Sequence, residues 1–446
     1  MNAQGAIMTL LNRKALGQLE AWKQRAENHA LLITGARQVG KSTLLEEFGR
    51  RAYPNVVRFD LIENTAACTS FAQATSAEDL AFRIEVMASR PLVPGKTLVI
   101  LDEVQACPEI VTYAKYLVRE GKYDYAFSGS LLGVQLENIR SFPVGYITEV
   151  QMFPLDFEEF TWACGLAQTA WDEIRRAVAA RQSVPDHLHA RMLQLFHRYL
   201  LIGGMPDAVN AYRETNGIDA SRTAQANIRR QYGIDITKYA PVARRLLIRN
   251  IFELIPAELS KQNRRFNLSD IENIKRYEQV SDDFLWLAAA GVALPAYNIA
   301  QPAYPLVCNE QRKLLKLFSS DVGLLTGAFL KRDVAEILDG KVKASLGGVY
   351  ENFVAQELAA HGFPLHYFTK KGIGELDIVT ERADGAVLVF EVKSGSGYKT
   401  HAAIDNALAV KNYQIDEAYV LAECNVAQHG AVLYLPVYAV GVFENC

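Results

Sequence analysis

The chain has 446 residues, of which 50% are hydrophobic and 22% are charged, and its formal net charge is −3. These values are typical of a well-packed soluble protein, and they exclude a disordered chain and a chain that is basic throughout. Because this length exceeds what one hydrophobic core supports, we expect two or three domains.

Neither end of the chain nor its cysteines indicate export or a membrane. Residues 1–25 lack the apolar core of a signal peptide, and the longest apolar run, 284–294, is about half of the roughly 20 residues that a membrane span needs. We therefore expect a cytoplasmic protein with no membrane partner. The cysteines are far apart and form no C-x-x-C pair, which indicates isolated reduced thiols rather than a zinc site. They are Cys68, Cys107, Cys164, Cys308, Cys424 and Cys446.

The first 150 residues alternate short β-rich runs with helical stretches, which predicts a parallel sheet covered by helices. The predicted strands are 30–34, 56–61, 97–101, 123–127 and 146–150. Residues 151–240 turn helical, with a Gly203-Gly204-Met205-Pro206 break, and predict a helical lid.

The rest of the chain predicts two further modules. Residues 241–327 contain short helical patterns followed by the apolar runs 292–299 and 313–319, an order that suggests a winged-helix-like domain. Residues 328–346 are charged and resemble a linker. Residues 346–446 form a last α/β segment, with a helix near 347–361, strands near 365–369, 375–380 and 386–393, then a helix and two more strands. The predicted fold class is α/β.

A phosphate-binding motif stands between the first strand and a helix-like run. It matches G-x-x-x-x-G-K-[ST] and is followed by Thr43. Its residues are Gly35, Ala36, Arg37, Gln38, Val39, Gly40, Lys41 and Ser42. Glycines let the backbone curl so that its N–H groups face phosphates, and the following helix adds the positive end of its dipole. We expect Lys41 to meet the β- and γ-phosphates of ATP and Ser42 to ligate Mg²⁺.

Two carboxylates end the strand that the motif requires as a partner. Four apolar residues, 98–101, precede Asp102 and Glu103. We expect Asp102 to hold Mg²⁺ through water and Glu103 to act as the base that polarises the attacking water. Beside the phosphate motif, this pair predicts an ATP hydrolase; alone, it is also typical of a strand that meets solvent.

Three more polar residues are candidates for the same site. The next strand ends in Ser128-Gly129-Ser130, where Ser128, with Ser130 close behind, is placed to sense the γ-phosphate; a plain Ser-Gly turn is the alternative. Arg140 is a candidate arginine finger toward a neighbouring subunit of a homo-oligomer, with a solvated surface arginine as the alternative.

These motifs, together with four others, resemble the bacterial and archaeal AAA+ ATPase family that joins an AAA-type P-loop module to a C-terminal DUF4143 domain. The further matches are 127–130, Pro154-Leu155-Asp156-Phe157-Glu158-Glu159-Phe160, 203–206 and Ser320-Asp321-Val322-Gly323-Leu324-Leu325. The resemblance runs through nearly the whole chain. It implies an ATPase domain, a winged-helix-like middle and a terminal domain with a restriction-endonuclease-like fold, and it implies no particular substrate.

The terminal segment carries the residues of a PD-(D/E)xK pattern. Asp377 precedes Glu391 by a hairpin's length, Lys393 shares a strand face with Glu391, and Glu351 lies on the preceding helix. Such carboxylates hold Mg²⁺ in nucleases, with the lysine activating water. A surface ion pair is the alternative for Glu391 and Lys393.

Nucleic acid and protein remain two alternative partners of the terminal domain. Residues 222–249 hold seven arginines and lysines against Asp235 alone, and Lys261, Arg264 and Arg265 follow, as expected for a surface that tracks phosphates. A solvated helical face or a contact with an acidic subunit is the alternative. One hypothesis is an ATPase whose terminal domain binds or cleaves nucleic acid; the other is an ATP-switched module that recruits a protein and whose nuclease-like domain is inert.

Overall fold

The computed structural model describes residues 10–25, 28–130, 143, 145–261, 263–271, 274, 276–329, 331–338, 347–395 and 397–445. The chain forms two compact units. Of the described residues, the N-terminal unit comprises those within 12–153 and 289–291, and the C-terminal unit comprises those within 10–11, 154–288 and 292–445.

A five-stranded parallel sheet is the centre of the N-terminal unit. Its strands are β1 (Ala30–Gly35), β2 (Asn55–Asp60), β3 (Thr97–Asp102), β4 (Asp124–Ser128) and β5 (Ile147–Met152). Their order across the sheet is β2-β3-β4-β1-β5, and every neighbouring pair is parallel. β3 is buried along its whole length, as its apolar run predicts. The five predicted strands and the parallel sheet are confirmed.

Helices connect these strands and bury their apolar sides against the sheet. They are α1 (Ala15–Lys23), α2 (Lys41–Ala52), α3 (Thr65–Ala72), α4 (Ala77–Met87) and α5 (Ala114–Glu120). Phe59 on β2 and Phe71 on α3 lie edge to face at 5.2 Å within one continuous core. Because parallel strands need crossover connections, their carboxyl ends meet at one edge, where the predicted site residues lie.

The C-terminal unit begins with a run of helices. They are α6 (Phe157–Ala163), α7 (Gln168–Ala179), α8 (Asp186–Ile202), α9 (Pro206–Thr215), α10 (Ile218–Tyr239), α11 (Arg245–Leu259) and α12 (Ser281–Ala289). Asp156 caps α6: its carboxylate accepts from the backbone N–H of Glu159, whose side chain accepts in turn from the Asp156 N–H. The motif Pro154–Phe160 therefore includes the start of a helix.

A mixed eight-stranded sheet follows. Its strands are β6 (Ala293–Ile299), β7 (Glu310–Ser319), β8 (His366–Lys370), β9 (Gly374–Glu381), β10 (Val387–Val392), β11 (Glu417–Ala422), β12 (Ala427–His429) and β13 (Val432–Pro436). The helices among them are α13 (Val322–Thr326), α14 (Lys331–Leu338), α15 (Gly347–Ala360) and α16 (Ala402–Leu408). The order across the sheet is β12-β13-β11-β10-β9-β8-β6-β7.

The hairpin expected in a separate winged-helix domain belongs to this sheet. β6 and β7 form the antiparallel hairpin, and β6 also pairs in parallel with β8, so the hairpin is the edge of the terminal sheet. The predicted boundary between 327 and 346 consequently does not separate two sheets. The division into four domains stays a prediction, and the predicted linker 328–346 lies partly outside the described residues.

Candidate nucleotide site and C-terminal charge cluster

The phosphate-binding loop has a backbone that its glycines make possible. Gly35 has a φ of 134°, and a Cβ there would lie 2.1 Å from the carbonyl oxygen of Met152. Gly40, at the start of α2, has a φ of 96°. Gln38 adopts a φ of 66°, which is uncommon for a residue with a side chain. The loop therefore turns sharply between β1 and α2.

Lys41 is a buried ammonium group whose hydrogen-bond partners are uncharged. Its Nζ donates to the carbonyl oxygens of Gly35 at 3.0 Å and Ala36 at 2.7 Å, and to Oγ of Ser130 at 3.0 Å. Burial lowers the pKa of Lys41 to about 8, against the opposing influence of Glu103 and Asp102. A desolvated cation of this kind gains most from an anion placed beside it.

Asp102 is 1% exposed and both of its carboxylate oxygens are held. Oδ1 accepts from the hydroxyl of Ser128 and from the backbone N–H of Glu103, the latter at 3.2 Å. Oδ2 accepts from Nε of Arg58 at 3.0 Å and from its Nη2 at 2.6 Å. The carboxylate is consequently fixed at the end of β3.

Glu103 follows in the left-handed region, with a φ of 56°. Its carboxylate accepts from the side-chain amide of Gln105. A positive φ in a glutamate costs on the order of 1–3 kcal/mol and such strain concentrates at functional sites. The turn directs the chain away from β3 immediately after Asp102 and separates the two carboxylates.

The remaining predicted residues lie around this edge, with one exception. Ser128 contacts Asp102 and Ser130 contacts Lys41, so both serines belong to the constellation. Ser42 is half-buried at the start of α2, and Thr43 is exposed. Arg140 lies outside the described residues, so its role in a neighbouring subunit stays a prediction.

Sequence reasoning missed Arg58, although a signal was present. Asp60 stands opposite Asp102 in the β2–β3 register, and side chains two residues apart on a strand share a face. Arg58 therefore lies on the same strand face as Asp60, close to the Asp102 carboxylate that it binds on β3.

In the C-terminal unit, Asp377 and Glu391 lie opposite each other on β9 and β10. The antiparallel register pairs Ile378 with Phe390, and the next pair along is Asp377 with Glu391. Oδ2 of Asp377 accepts from the backbone N–H of Val392 at 2.8 Å. Burial and the neighbouring Asp377 raise the pKa of Glu391 to about 7.

Glu391 and Lys393 form an ion pair at 2.6 Å, the geometry expected of alternate residues on one strand face. The other carboxylate oxygen of Glu391, Oε2, is buried without a hydrogen-bond partner among the described residues. Burial and Asp377 oppose the ionisation of Glu391, whereas Lys393 and Lys316 favour it.

Glu351 is fully buried on α15 and faces two cations. Oε2 lies 3.3 Å from Nζ of Lys316, and Oε1 pairs with Arg264. Lys316 is itself fully buried on β7, and its ammonium also contacts Glu375 at 2.8 Å and the carbonyl oxygen of Asp377 at 3.4 Å. The ammonium group of Lys316 thus contacts α15 and β9, which carry two of the three carboxylates that the sequence predicts to share a metal ion.

The C-terminal charge cluster is therefore balanced by its own residues. Four carboxylates, Glu351, Glu375, Asp377 and Glu391, lie among four cations, Lys316, Arg264, Arg265 and Lys393. Within the described part of the chain, no group of three or more His, Cys, Asp and Glu residues is arranged to hold a metal ion. The predicted grouping of Glu351, Asp377 and Glu391 around one ion does not fit this arrangement. Lys316, a lysine within an apolar run, was the sequence signal that this reasoning missed.

In the N-terminal unit, a strand, a glycine loop with a buried lysine and a second strand ending in Asp-Glu define the class of P-loop nucleoside triphosphatases. The family comparisons agree. Residues 27–161 match the model of an AAA domain, 193–336 that of a domain of unknown function (DUF8612), and 346–438 that of a second one (DUF4143). The chain therefore carries an AAA domain with a P-loop and, after it, a DUF4143 domain.

The chain is also similar to several solved structures. The Walker-type ATPase PABY2304 of Pyrococcus abyssi is 15% identical, with 71% of this chain and 95% of that chain covered and a TM-score of 0.42. The Aeropyrum pernix ORC1 protein, solved in complex with DNA, is 14% identical, with coverages of 74% and 93% and a TM-score of 0.29. Thermotoga maritima RuvB is 16% identical, with coverages of 64% and 89% and a TM-score of 0.27. A comparison with curated proteins finds no match.

Among the described residues, no helix is both long and apolar enough to cross a membrane. The cytoplasmic location stays a prediction, as does the homo-oligomer.

Proposed function

We propose that the chain hydrolyses ATP with Mg²⁺ at the carboxyl edge of the N-terminal sheet. The buried ammonium of Lys41 carries this proposal, since its hydrogen-bond partners are oxygens of its own loop and of Ser130, and none is a carboxylate. The β- and γ-phosphates of ATP supply the missing anion. The turn from Gly35 to Gly40 leaves the loop N–H groups and the N-terminus of α2 facing the same phosphates.

The metal fits this edge because hard oxygen ligands stand beside the loop. Ser42 and Asp102 would hold Mg²⁺, which neutralises charge that develops on the phosphates. Arg58 and Ser128 fix the Asp102 carboxylate so that it need not reorganise. Glu103 is the base that takes a proton from the attacking water, and Ser130 holds Lys41 in position.

Turnover of ATP by the purified chain tests the proposal. Replacing Glu103 with Gln removes the base while keeping size and polarity, so we expect turnover to fall at least about a hundredfold with ATP binding nearly intact. Replacing Lys41 with Ala should weaken binding itself. Glu109, exposed on the 3₁₀ helix Pro108–Tyr113, provides the matched control: Glu109→Gln should keep both ATP binding and ATP turnover. Unchanged turnover in the Glu103 variant would remove Glu103 from the mechanism.

For the C-terminal unit, the charge-balanced cluster favours a nuclease-like domain that does not cleave. A divalent ion would add two positive charges to carboxylates that Lys316, Arg264, Arg265 and Lys393 already neutralise, and burying excess charge is costly. The unit then serves the ATPase by binding a partner. Incubation of the chain with DNA and RNA in Mg²⁺ or Mn²⁺ tests this: we expect no cleavage, whereas cleavage lost on Glu391→Ala substitution would establish a nuclease.

A further inference from the structure

A groove of 840 Å³ opens between α10 and α11 in the C-terminal unit. Its lining includes four cations, Arg229, Arg230, Lys238 and Arg249, and one carboxylate, Glu253. Because α10 and α11 are antiparallel neighbours, both walls of the groove carry positive charge. The groove is distinct from the nucleotide site and from the C-terminal charge cluster.

The structure separates these cations from the other basic residues of the same stretch of sequence. Arg264 and Arg265 pair with Glu351 and Glu375 in the C-terminal charge cluster. The rest are also engaged elsewhere: Arg222 donates to Thr326 and Phe329, Arg244 pairs with Asp283, Arg245 donates to Ala240, and Lys261 pairs with Glu258 and Asp270. Two of the groove cations are engaged as well, since Arg229 donates to the carbonyl oxygen of Leu324 at 3.0 Å and Arg249 pairs with Glu253. The cations of this stretch that form no ion pair within the described residues, Arg230 and Lys238, both line the groove.

Two of the groove cations are exposed and form no ion pair within the described residues. These are Arg230 and Lys238, eight positions apart on α10, or about 12 Å along a helix that rises 1.5 Å per residue. Arg249 on the opposite wall pairs with Glu253 at 2.8 Å. Arg229 lies deeper, over the ring of Phe252 at 5.6 Å, and burial lowers the pKa of its guanidinium. An anion in the groove would pair with Arg230 and Lys238 and would offset the cost of burying the Arg229 guanidinium.

Gly233 keeps the floor of the groove open. It lies in the middle of α10, where glycine costs about 1 kcal/mol relative to alanine. Close packing does not require it: the nearest atom to a Cβ built there is Nε of Arg249, at 3.9 Å. A glycine that packing does not demand leaves room for a ligand to approach the helix backbone.

We propose that this groove binds the phosphodiester backbone of a nucleic acid. Charge complementarity selects this occupant, because four cations face one carboxylate and a phosphate chain presents regularly spaced anions to such a surface. Contacts to phosphates by arginine and lysine carry no base information, so the groove binds independently of sequence.

Fluorescence anisotropy of labelled oligonucleotides tests the proposal on the full chain. The probes are single-stranded DNA, duplex DNA and single-stranded RNA of about 20 nucleotides, each titrated without ATP between about 50 and 200 mM salt. The Arg230→Gln/Lys238→Gln variant should bind the preferred probe at least tenfold more weakly. Its plot of log affinity against log salt should lose about two units of slope, as expected for two phosphate contacts.

Two further variants test whether the oligonucleotide binds in the groove itself. Arg176 and Arg191 are exposed on α7 and α8, so Arg176→Gln/Arg191→Gln removes the same charge away from the groove and should preserve affinity. Gly233→Leu fills the groove without changing charge and should weaken binding as much as the double variant, with an unchanged circular dichroism spectrum.

Equal losses in the groove and control variants would overturn the proposal, as would wild-type chain that binds no probe. A polyglutamate peptide that binds through Arg230 and Lys238 while oligonucleotides do not would also overturn it, and would assign the groove to an acidic protein. The ATP turnover of every groove and control variant should match that of the wild type. A failure of the nucleic-acid proposal is therefore distinguishable from a failure of the proposed ATP site.

Discussion

Arg58 and Asp102 form a bidentate contact in which Nε and Nη2 of the arginine both donate to one carboxylate oxygen, at 3.0 and 2.6 Å. The arginine lies on β2 and the aspartate on β3, so the contact joins neighbouring strands at the carboxyl edge of the sheet. Arg58 also reaches Glu46 and Asp60, which holds its guanidinium in place. This contact fixes the orientation of the nearly inaccessible Asp102 carboxylate, which would hold Mg²⁺ through water.

Replacing Arg58 with Met should therefore lower ATP turnover by about tenfold or more, because it removes the two hydrogen bonds that hold the Asp102 carboxylate at the end of β3. Arg50→Met is the matched control, since Arg50 is an exposed arginine of α2 paired with Glu47. Equal ATP turnover by the two variants would contradict the role of Arg58.

The affinity for ATP should decrease as the pH rises above about 8. The protonated form of Lys41 binds phosphate, and burial has lowered its pKa to about 8 in the free protein. Above that pH, binding must take up a proton, so affinity falls by up to tenfold per pH unit. Below it, Lys41 is already charged and affinity should change little. Nucleotide binding measured by calorimetry between pH 6.5 and 9.5, in buffers of different ionisation enthalpy, reveals the proton uptake.

Lys41→Arg provides the comparison for this pH dependence. An arginine stays protonated over the whole range, so this variant should bind more weakly but without the decline at high pH. A decline of equal size in both proteins would mean that another group, or the nucleotide itself, is responsible.

Much of the fold could be predicted from sequence because its signals are local. The buried strands β1 and β3 are short apolar runs bounded by turn residues, and each begins and ends within a residue of the prediction. The phosphate loop was predicted for the same reason, since its glycines, lysine and serine are consecutive. Helix α15 and strands β8 to β10 also match their predicted positions closely.

Long-range pairing could not be predicted in this way. The parallel contact between β6 and β8 joins segments about seventy residues apart, and only it shows that the hairpin extends the terminal sheet. The cations that pair with the carboxylates also come from distant segments of the chain. Lys316 approaches Glu351 from β7, and no spacing within either segment indicates that they meet. Motif reasoning named the acidic residues and Lys393, but it missed Lys316, and it did not predict that Arg264 and Arg265 meet the carboxylates.

Glu391→Gln should stabilise the C-terminal unit increasingly as the pH rises. The pKa of Glu391 in the folded protein is about 7, above the ordinary value of 4.5, so between these values the folded chain binds more protons than the unfolded chain. Stability of the wild type therefore falls as the pH rises through this window, whereas glutamine does not titrate. The difference should reach the order of 2–3 kcal/mol by pH 8.

Urea unfolding at pH 5, 6, 7 and 8 measures this difference. Glu214→Gln, at an exposed position near the end of α9, is the control and should show no trend with pH. A stability difference for Glu391→Gln that is constant across the range would show that Glu391 is ionised throughout.

Lys316→Met should destabilise the C-terminal unit by about 3–5 kcal/mol, because it leaves Glu351 and Glu375 buried with fewer counter-charges. Lys313, three residues earlier on β7, is 77% exposed and pairs only with Glu278 among the described residues. Lys313→Met should therefore change stability by no more than about 0.5 kcal/mol. Urea unfolding of both variants, monitored by tryptophan fluorescence, gives the comparison.

The same variant tests whether the ammonium of Lys316 excludes a metal ion from the C-terminal charge cluster. With Lys316 removed, the cluster has lost the ammonium group that pairs with Glu351 and Glu375 and contacts the backbone of Asp377, so Mn²⁺ should bind and recover part of the lost stability. Without nucleotide, Mn²⁺ should leave the wild-type unfolding curve unchanged, since the wild-type cluster is already neutral. Electron paramagnetic resonance of added Mn²⁺ counts the bound ions in each protein directly. Tight binding of Mn²⁺ by the wild type, lost on Glu391→Gln substitution, would show instead that the cluster is a metal site and that Lys316 only supports it.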